Sequence, residues 1–512
     1  MALKLKVAQK SLSEQAALRV QQEELWTVDR LKDLIHAKLG ENGFFVVSNR
    51  EPYMHMAESV SGVVRCIRPA SGVVTALDSI MSTCGGMWIA HGGGNADRKF
   101  VNSKNKLGVP PEDSRYILKR VWLNKAEEDG YYYGFSNEGL WPLCHNTHTR
   151  PVFRERDWQM YKKANQRFAD AVLEEVPAKN PFIFIQDYHF TLLPQMIREK
   201  CPDAKIALFW HIPWPNSESF SICPFQKEIL EGMLACDLIG FHVQYHCNNF
   251  FDTVNRFLEC RIDMEKFSVV RSGYETFVKP FPISIDDKEV CFSDDDEKIR
   301  MIQEEREIKD MIIGVGVDRI DYTKGIVERL NAIDRFLEKY PSYRKKFVFI
   351  QIGAPSRVHI KSYHDLDAEI DEKVEKINWK YLDGNWKPIL YLKKHFYVNE
   401  IRLYYKMADF CIVSSLHDGM NLVAKEYIMA KTDMNGVLLL STFTGAWREL
   451  TEAIPINPYS IEEFADRIRL ACEMPMDEKK KRMESLKKTI QEKNIYRWAG
   501  NIITEMTAIQ KT

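Results

Sequence analysis

Short, almost purely apolar runs recur along the chain, each bounded by Gly, Pro, Asn or Asp and followed by a helical or loop stretch. They form two series, at 44–48, 87–90, 182–186, 206–210 and 238–241, and then at 311–317, 347–352, 389–392, 410–413 and 437–440. Runs without polar alternation are typical of strands buried on both faces, as in parallel sheets covered by helices. The pattern therefore predicts an α/β protein with two doubly wound parallel sheets.

Helical patterns mark both ends of the chain, and a linker separates the two series. Apolar residues recur at helical intervals over 11–39, and the tail at 496–509 also has a helical pattern. The segment 281–297 contains Pro282 and an acidic run, which is typical of an interdomain linker. We therefore predict a helical extension at 1–43, an N-terminal Rossmann-like domain at 44–285, a C-terminal Rossmann-like domain at 286–485, and a C-terminal helix at 486–512 that packs back on the N-terminal domain.

Composition narrows the class of protein. The 512 residues include 71 Lys and Arg against 72 Asp and Glu, a net charge of −1 that argues against a nucleic-acid-binding protein. No apolar run reaches the roughly 18 residues that cross a bilayer, and residues 1–10 have no hydrophobic signal segment. The 11 cysteines form no CxxC pair, which favours reduced thiols. We expect a cytoplasmic protein that contacts neither membrane nor nucleic acid.

A basic segment follows the first strand of the second series. Residues 317–325 read Val-Asp-Arg-Ile-Asp-Tyr-Thr-Lys-Gly. At the end of a parallel strand, Arg319 and Lys324 could both point into a cleft and neutralise a diphosphate, Arg as a planar fork and Lys as a compact charge. The alternative is two surface cations in a loop.

A second polar segment, at 414–427, follows the strand at 410–413. Its Gly419 permits a tight turn, and a helix that begins near Asn421 would favour anions at its N-terminus. The carboxylates of Asp418 and Glu426 are suited to binding sugar hydroxyls. An ordinary N-capped helix is the alternative.

Two more polar residues close neighbouring strands of the first series. Asp187, in Gln-Asp-Tyr-His, follows the strand at 182–186, and His211, in His-Ile-Pro-Trp-Pro, follows the next strand. Strands of a parallel sheet end at one edge, so both side chains are expected at the same cleft, although each could be structural. The histidines could also suggest zinc, but their irregular spacing and the lack of an adjacent cysteine predict no metal site.

A fourth group is basic and aromatic. It comprises Ser48-Asn49-Arg50, the tyrosine-rich segment 131–137 with Trp141, and the segment 354–357, which ends in Arg357. Arginines together with a phenol and an indole N–H can form a pocket for a phosphate. Spacing alone does not show that these residues meet, so the alternative is core aromatic residues and unrelated arginines.

Taken together, the motifs resemble those of the trehalose-6-phosphate synthases, the retaining glycosyltransferase family 20, which has the GT-B fold. The match runs from about Phe44 to the C-terminus. Its segments, in the family's order, are Asn49-Arg50, YYxGFSNxxLWP at 131–142, DYH at 187–189, HIPWP at 211–215, RxDYxKG at 319–325, Ser356-Arg357 and DGMNLVAKEY at 418–427. The resemblance implies two Rossmann-like domains that face a cleft, and transfer of glucose from a nucleoside-diphosphate glucose to glucose 6-phosphate, without a cofactor.

The resemblance also implies a donor site in the cleft. Arg319 and Lys324 would hold the diphosphate, Asp418 the glucose hydroxyls, and His211 would contact the transferred sugar. The other donor-binding residues would be Ser71, Gly72, Phe396, Leu422, Val423, Ala424, Lys425 and Glu426.

The implied acceptor site is formed by the basic and aromatic group. Arg50, Tyr132, Trp141 and Arg357 would bind the 6-phosphate, and Asp187 would contact the acceptor hydroxyl. No protein nucleophile is required, because the departing phosphate helps to deprotonate the acceptor in a front-face mechanism. Catalysis would rest on positioning and on charge stabilisation. Its residues would be Asp187, His211, Arg319, Lys324 and Asp418.

Some positions depart from the family pattern. Ser71 replaces a usual Gly, Gln186 stands where the family often has His, and His417 stands where Arg is common. The segment 88–94 also departs from a Trp-Gly-Trp-type segment on the acceptor side. These differences leave donor chemistry credible and the acceptor open.

Three functions are therefore weighed. The leading one is synthesis of trehalose 6-phosphate, and the second is the same donor chemistry with another acceptor, such as glycerol 3-phosphate, as in glucosylglycerol-phosphate synthases. The third, an inactive sugar-phosphate sensor, would be expected to have lost Arg319, Lys324, Asp418 or Glu426, and all four are present. Residues 11–39 could cap the fold or form an interface in a homo-oligomer.

Overall fold

The computed structural model describes residues 25–40, 44–58, 62–69, 72–177, 180–286 and 295–509. The strands in this part of the chain are β1 (Phe44–Arg50), β2 (Met54–Ala57), β3 (Val64–Ile67), β4 (Met87–His91), β5 (Lys106–Val109), β6 (Tyr116–Val121), β7 (Phe182–Gln186), β8 (Lys205–Phe209), β9 (Leu238–Phe241), β10 (Arg261–Asp263), β11 (Ser268–Arg271), β12 (Tyr274–Pro280), β13 (Ile312–Arg319), β14 (Phe347–Ala354), β15 (Ile389–Leu392), β16 (Phe410–Val413), β17 (Val437–Ser441) and β18 (Ile454–Ile456). The ten predicted strands are all present, with ends within two residues of the prediction.

Helices surround these strands. The α-helices are α1 (Val28–Leu39), α2 (Gly72–Cys84), α3 (Lys125–Glu128), α4 (Trp141–His145), α5 (Glu155–Leu173), α6 (Leu193–Lys200), α7 (Ser217–Phe220), α8 (Gln226–Met233), α9 (Gln244–Phe257), α10 (Asp296–Glu305), α11 (Ile326–Lys339), α12 (Lys361–Tyr381), α13 (Val398–Met407), α14 (Leu422–Ala430), α15 (Ile461–Glu473), α16 (Met476–Glu492) and α17 (Ile495–Ala508). A π-helix, Asp129–Leu140, joins α3 to α4. Within the described residues, no helix is both long and apolar enough to cross a membrane.

The strands form two large sheets, one from each series. The first has the order β10-β11-β12-β9-β8-β7-β1-β4-β6-β5, and its central strands from β12 to β6 are parallel. The second has the order β15-β14-β13-β16-β17-β18 and is parallel throughout. In the first sheet, β4, β5 and β6 lie on one side of β1, and β7 to β12 lie on the other side. In the second sheet, β14 and β15 lie on one side of β13, and β16 to β18 lie on the other side. The switch points are therefore between β1 and β7 and between β13 and β16. Ligands of doubly wound sheets bind beside such switch points, at the carboxyl ends of the strands.

The last helix, α17, packs on the N-terminal domain. Trp498 of α17 packs on Phe184 and Phe209 of the first sheet, and its indole N–H donates to the carbonyl of Phe281 at 3.2 Å. Helix α16 continues through the predicted domain boundary at 485/486 and ends at Glu492, and α17 begins at Ile495. A helix end is where the backbone can change direction without losing internal hydrogen bonds.

The described part of the N-terminal extension packs beside α17. Leu31, Ile35 and Leu39 are the buried residues of α1, and the Asn494 amide donates to the carbonyl of Trp26 at 2.8 Å. Gly500 leaves room for the Trp26 ring, which a Cβ would overlap. The extension therefore covers the C-terminal helix, and the predicted helical residues 11–24 lie outside the described residues.

Trp498→Ala is expected to lower the free energy of unfolding by about 3–5 kcal/mol, because it removes a large aromatic side chain from a packed site. The matched control is Trp379→Ala, since Trp379 is 75% exposed whereas Trp498 is 3% exposed. The control should change stability by about 0.5 kcal/mol or less. Urea unfolding followed by circular dichroism measures both, and equal effects would contradict the docking of α17.

Candidate active site

The predicted site residues lie at the switch points of the two sheets. Arg50 ends β1 and Asp187 follows β7, while Arg319 ends β13 and Asp418 lies beyond β16. The sheets face each other at these edges, as the contacts below show. Topology alone thus brings residues more than a hundred positions apart into one cleft.

One indole ring joins the two halves of the cleft. The guanidinium of Arg357 lies 4.1 Å, and that of Arg319 5.6 Å, from the ring centroid of Trp141. Both arginines belong to the C-terminal domain, whereas Trp141 begins α4 in the N-terminal domain. The Trp141 indole N–H is buried and has no hydrogen-bond partner within the described residues. A buried unpaired donor is costly, so this N–H is available to a ligand.

The predicted phosphate pocket is assembled around Tyr132. Arg50 donates to the Tyr132 hydroxyl at 3.4 Å. Burial by itself would raise the pKa of this hydroxyl, but the positive charges of Arg50 and Arg357 outweigh burial and lower the pKa to about 7. The site therefore stabilises negative charge at this point, which is what a phosphate requires.

An aspartate that the sequence motifs left without a role holds Arg357 in place. Asp321 is fully buried and accepts from Arg357 at 3.3 Å and from the Tyr363 hydroxyl at 3.2 Å. Its other oxygen accepts from the backbone N–H of Thr323 at 3.0 Å, within the turn that leads to Lys324. Asp321 thus links the acceptor-side arginine to the donor-side lysine. Its place in the RxDYxKG motif was the only signal that could have identified it.

Lys324 and Asp418 form an ion pair with an Nζ–Oδ2 distance of 2.5 Å. The same oxygen of Asp418 accepts from Ser415 and from Asn421, each at 3.2 Å. Burial would raise the pKa of Asp418, but Lys324 outweighs it and holds this pKa well below its usual value. Asp418 is therefore a permanent carboxylate with hydrogen-bond acceptors for sugar hydroxyls.

Two helix N-termini meet across the cleft. A Cβ added to Gly72, the first residue of α2, would lie 2.7 Å from the Leu422 side chain at the start of α14. Asn421 caps α14 by accepting from the N–H of Ala424 at 3.3 Å, which confirms the predicted helix start. Free N–H groups at both termini favour an anion between them. Ser71, predicted to bind the donor, lies outside the described residues.

Three other residues predicted to bind the donor differ in their surroundings. Glu426 is half-buried, accepts from the Tyr405 hydroxyl at 3.2 Å and lies on α14. Phe396 is buried beneath the Lys394 ammonium, 4.2 Å from the ring centroid. The Lys425 ammonium instead bonds Glu449 at 2.7 Å, inside the core. The charge of Lys425 is therefore neutralised away from the cleft, and its contact with the donor through the backbone N–H stays a prediction.

Asp187 and His211 lie together, as predicted from their strands. The Asp187 carboxylate accepts from the backbone N–H of His211 at 3.2 Å, and Asp187 has a φ of 75°, in the left-handed region. Burial raises the pKa of Asp187 to about 7, although two backbone N–H groups oppose this shift. Burial also keeps the pKa of the His211 ring well below its usual value, so the ring is neutral. Both side chains offer lone pairs to ligand hydroxyls.

Direct contacts hold the domains together beside these residues. The His417 ring donates from Nδ1 to the carbonyl of His145 at 2.7 Å, and Gly419 lies so close to the carbonyl of His211 that a Cβ would overlap it. His417 therefore forms a hydrogen bond between the two domains. Among the described residues, no group of three His, Cys, Asp or Glu side chains could hold a metal ion.

A family model described as glycosyltransferase family 20 matches residues 42–508. The chain belongs to glycosyltransferase family 20. Among curated members, the UDP-forming α,α-trehalose-phosphate synthase A of Dictyostelium discoideum is 35% identical over 91% of this chain, which spans only 63% of that relative. The UDP-forming α,α-trehalose-phosphate synthase of Schizosaccharomyces pombe is 33% identical over 94% of both chains.

Solved structures of family members have the same fold. The Escherichia coli trehalose-6-phosphate protein bound with UDP-2-fluoro glucose has a TM-score of 0.80 and 29% identity, covering 91% of this chain and 99% of that one. The UDP-forming synthase of Burkholderia xenovorans in complex with glucose-6-phosphate has a TM-score of 0.80 and 27% identity, with the same coverage. The predicted GT-B fold is confirmed.

In this family-20 protein, Tyr132 is expected to ionise near pH 7, so its phenolate absorbance should appear between about pH 6 and 8. Inorganic phosphate should move this transition to higher pH, because an added anion disfavours a second negative charge. Ultraviolet difference spectra measure the transition. Tyr132→Phe should abolish it, whereas Tyr245→Phe, at a residue that is 56% exposed, should not. Ionisation only near pH 10 would contradict the electrostatic account of the pocket.

Proposed function

We propose that the protein transfers glucose from UDP-glucose to glucose 6-phosphate, with retention at the anomeric carbon, and releases α,α-trehalose 6-phosphate and UDP. One observation carries this proposal most directly. Two arginines meet on the ring of Trp141: Arg319, which ends β13 shortly before the turn that carries Lys324, and Arg357, which acts together with Arg50 on the Tyr132 hydroxyl. Two adjacent anion sites fit a diphosphate donor and a phosphorylated acceptor. The substrates named for the relatives match this pair of sites.

The donor diphosphate is placed between Arg319, Lys324 and the N-terminus of α14. Lys324 is paired with Asp418 at 2.5 Å before the donor binds. When the donor binds, glucose hydroxyls donate hydrogen bonds to the Asp418 carboxylate in place of Lys324. The Lys324 ammonium is then able to contact the diphosphate. Cations and N–H groups at the leaving group stabilise the charge that develops there as the bond breaks.

The acceptor is oriented by its phosphate. Arg50, Tyr132 and Arg357 bind the 6-phosphate, and Asp187 accepts a hydrogen bond from a hydroxyl of the acceptor sugar. The bond between the donor's anomeric carbon and the diphosphate oxygen breaks, and the acceptor hydroxyl oxygen bonds to the same face of that carbon. The hydroxyl proton passes to the departing diphosphate oxygen, so no protein nucleophile is involved. The protein contributes mainly by alignment of the two substrates.

A matrix of donors and acceptors tests the proposed function. UDP-glucose with glucose 6-phosphate should release UDP and give a phosphorylated disaccharide whose glycosidic linkage retains the donor's α configuration by NMR. Glycerol 3-phosphate, which lacks the ring that Asp187 contacts, should react at least about tenfold more slowly. No UDP release with any acceptor would contradict the proposal, and faster reaction with glycerol 3-phosphate would change the acceptor.

Arg319→Ala is expected to lower kcat/KM for the donor by about 100-fold or more, because it removes positive charge from the leaving group. Stability should change little, since Arg319 is half-buried and has no carboxylate partner within the described residues. The control is Arg335→Ala on α11, an arginine that pairs with Glu338 and Glu462 away from the cleft. Wild-type donor kinetics in Arg319→Ala would refute the assigned role.

A further inference from the structure

Gln186 is a buried side chain at the carboxyl end of β7, beside the switch point, and the mechanism above gives it no role. Its amide nitrogen faces the carbonyl oxygen of Phe184 at 3.5 Å. A carbonyl oxygen only accepts, so the amide orientation is fixed with the nitrogen on that side. The amide oxygen, Oε1, then faces Nε2 of the His211 ring at 2.9 Å.

This contact determines the tautomer of His211. The Gln186 oxygen can only accept, so Nε2 of His211 must carry the hydrogen. In a neutral imidazole the other nitrogen, Nδ1, is then a bare acceptor. Nδ1 is buried and has no hydrogen-bond partner within the described residues. The ring therefore keeps one lone pair free for a group that donates.

The backbone of His211 is fixed from both sides. Its N–H donates to Asp187 at 3.2 Å, and its carbonyl accepts from Nε2 of His242 at 3.1 Å. The backbone N–H of Ile283 donates to Nδ1 of His242 at 3.4 Å, which leaves Nε2 of His242 as the donor. With the backbone held in this way, the Gln186 amide is the remaining contact that sets which ring nitrogen of His211 is free.

We propose that Gln186 is a positioning residue that holds His211 in the Nε2–H tautomer, so that Nδ1 accepts a hydrogen bond from one hydroxyl of the transferred glucose. The proposal rests on the proposed function for the identity of the sugar. The tautomer itself does not depend on the substrate. Without the Gln186 oxygen, the ring would exchange between tautomers, and the Nδ1–H form would present a donor where an acceptor is required.

Kinetics with modified donors test the sugar contact. Gln186→Met has nearly the same size but no acceptor oxygen, and it should lower kcat/KM for UDP-glucose by about tenfold. UDP-glucose analogues with one glucose hydroxyl replaced by fluorine cannot donate at that position. For one analogue, the ratio of wild-type to variant kcat/KM should fall to about one, because the hydroxyl that Nδ1 serves is missing. A parent ratio below twofold, or the same ratio with all analogues, would overturn the proposal.

A control separates positioning from stability. Thr276→Val removes a buried hydroxyl of β12, in the same sheet as Gln186, that donates to the carbonyls of Leu234 and Cys236 in the connection between α8 and β9. It should lower the melting temperature and leave the ratio of wild-type to variant kcat/KM the same for all donors. If Gln186→Met does not fold, Gln186→Leu removes the same oxygen with a smaller side chain and is subject to the same criteria.

A second readout is independent of turnover. In protein labelled with 15N-histidine, long-range proton–nitrogen spectra distinguish a bare from a protonated ring nitrogen, and the signal missing in His211→Gln identifies His211. Wild-type His211 should show a protonated Nε2 and a bare Nδ1, and the Gln186 variant should show a mixture. A protonated Nδ1 in the wild-type protein would overturn the positioning role even if the proposed substrates were correct. If His211 has the expected tautomer but the protein does not turn over UDP-glucose, the proposed function is refuted and the positioning role of Gln186 is not.

Discussion

The contact on which the site depends is the packing of two arginines against the ring of Trp141. Arg319 ends β13 and Arg357 follows the adjacent strand β14, whereas the indole comes from the other domain. A guanidinium is attracted to the face of an aromatic ring, but two like charges near one ring repel each other unless anions compensate them. Asp321 supplies one such anion to Arg357, and the bound phosphates would supply the rest. The same charges therefore hold the two domains together at Trp141 and make this place favourable for anions.

Backbone strain is located at the same place. Asp187, Arg357 and Asn421 all have φ between 48° and 80°, a region that residues other than glycine rarely adopt. Such conformations persist where the surrounding structure determines them, often at functional sites. Here each is fixed by hydrogen bonds: Asp187 by two backbone N–H groups, Arg357 by Asp321, and Asn421 by its cap on α14. These hydrogen bonds fix the backbone at three places in the site in the absence of any ligand, which suits catalysis by alignment.

The buried parallel strands could be predicted well from the sequence, because a short unbroken apolar run between turn residues is typical of a strand that is covered on both faces. The parallel strands β6, β12 and β18 were missed. In β6, Lys119 and Arg120 are buried against Glu175 and Glu51, and a charged residue in a core strand cannot be recognised without its partner. The grouping of Arg50, Tyr132, Trp141 and Arg357 came from family resemblance, because long-range contacts leave no spacing signal. The π-helix before Trp141 also could not be predicted from propensity. The burial of the Lys425 charge depends on Glu449, which lies in a different segment of the chain.

The central claim is that one cleft brings two phosphate sites together, and a crystal structure with UDP and glucose 6-phosphate bound tests it most directly. The sugar phosphate should lie within hydrogen-bond distance of Arg50, Tyr132 and Arg357. The diphosphate should contact Arg319 and Lys324 on the other side of the Trp141 ring. A sugar phosphate bound away from Trp141, or a diphosphate that does not touch Arg319, would contradict the claim.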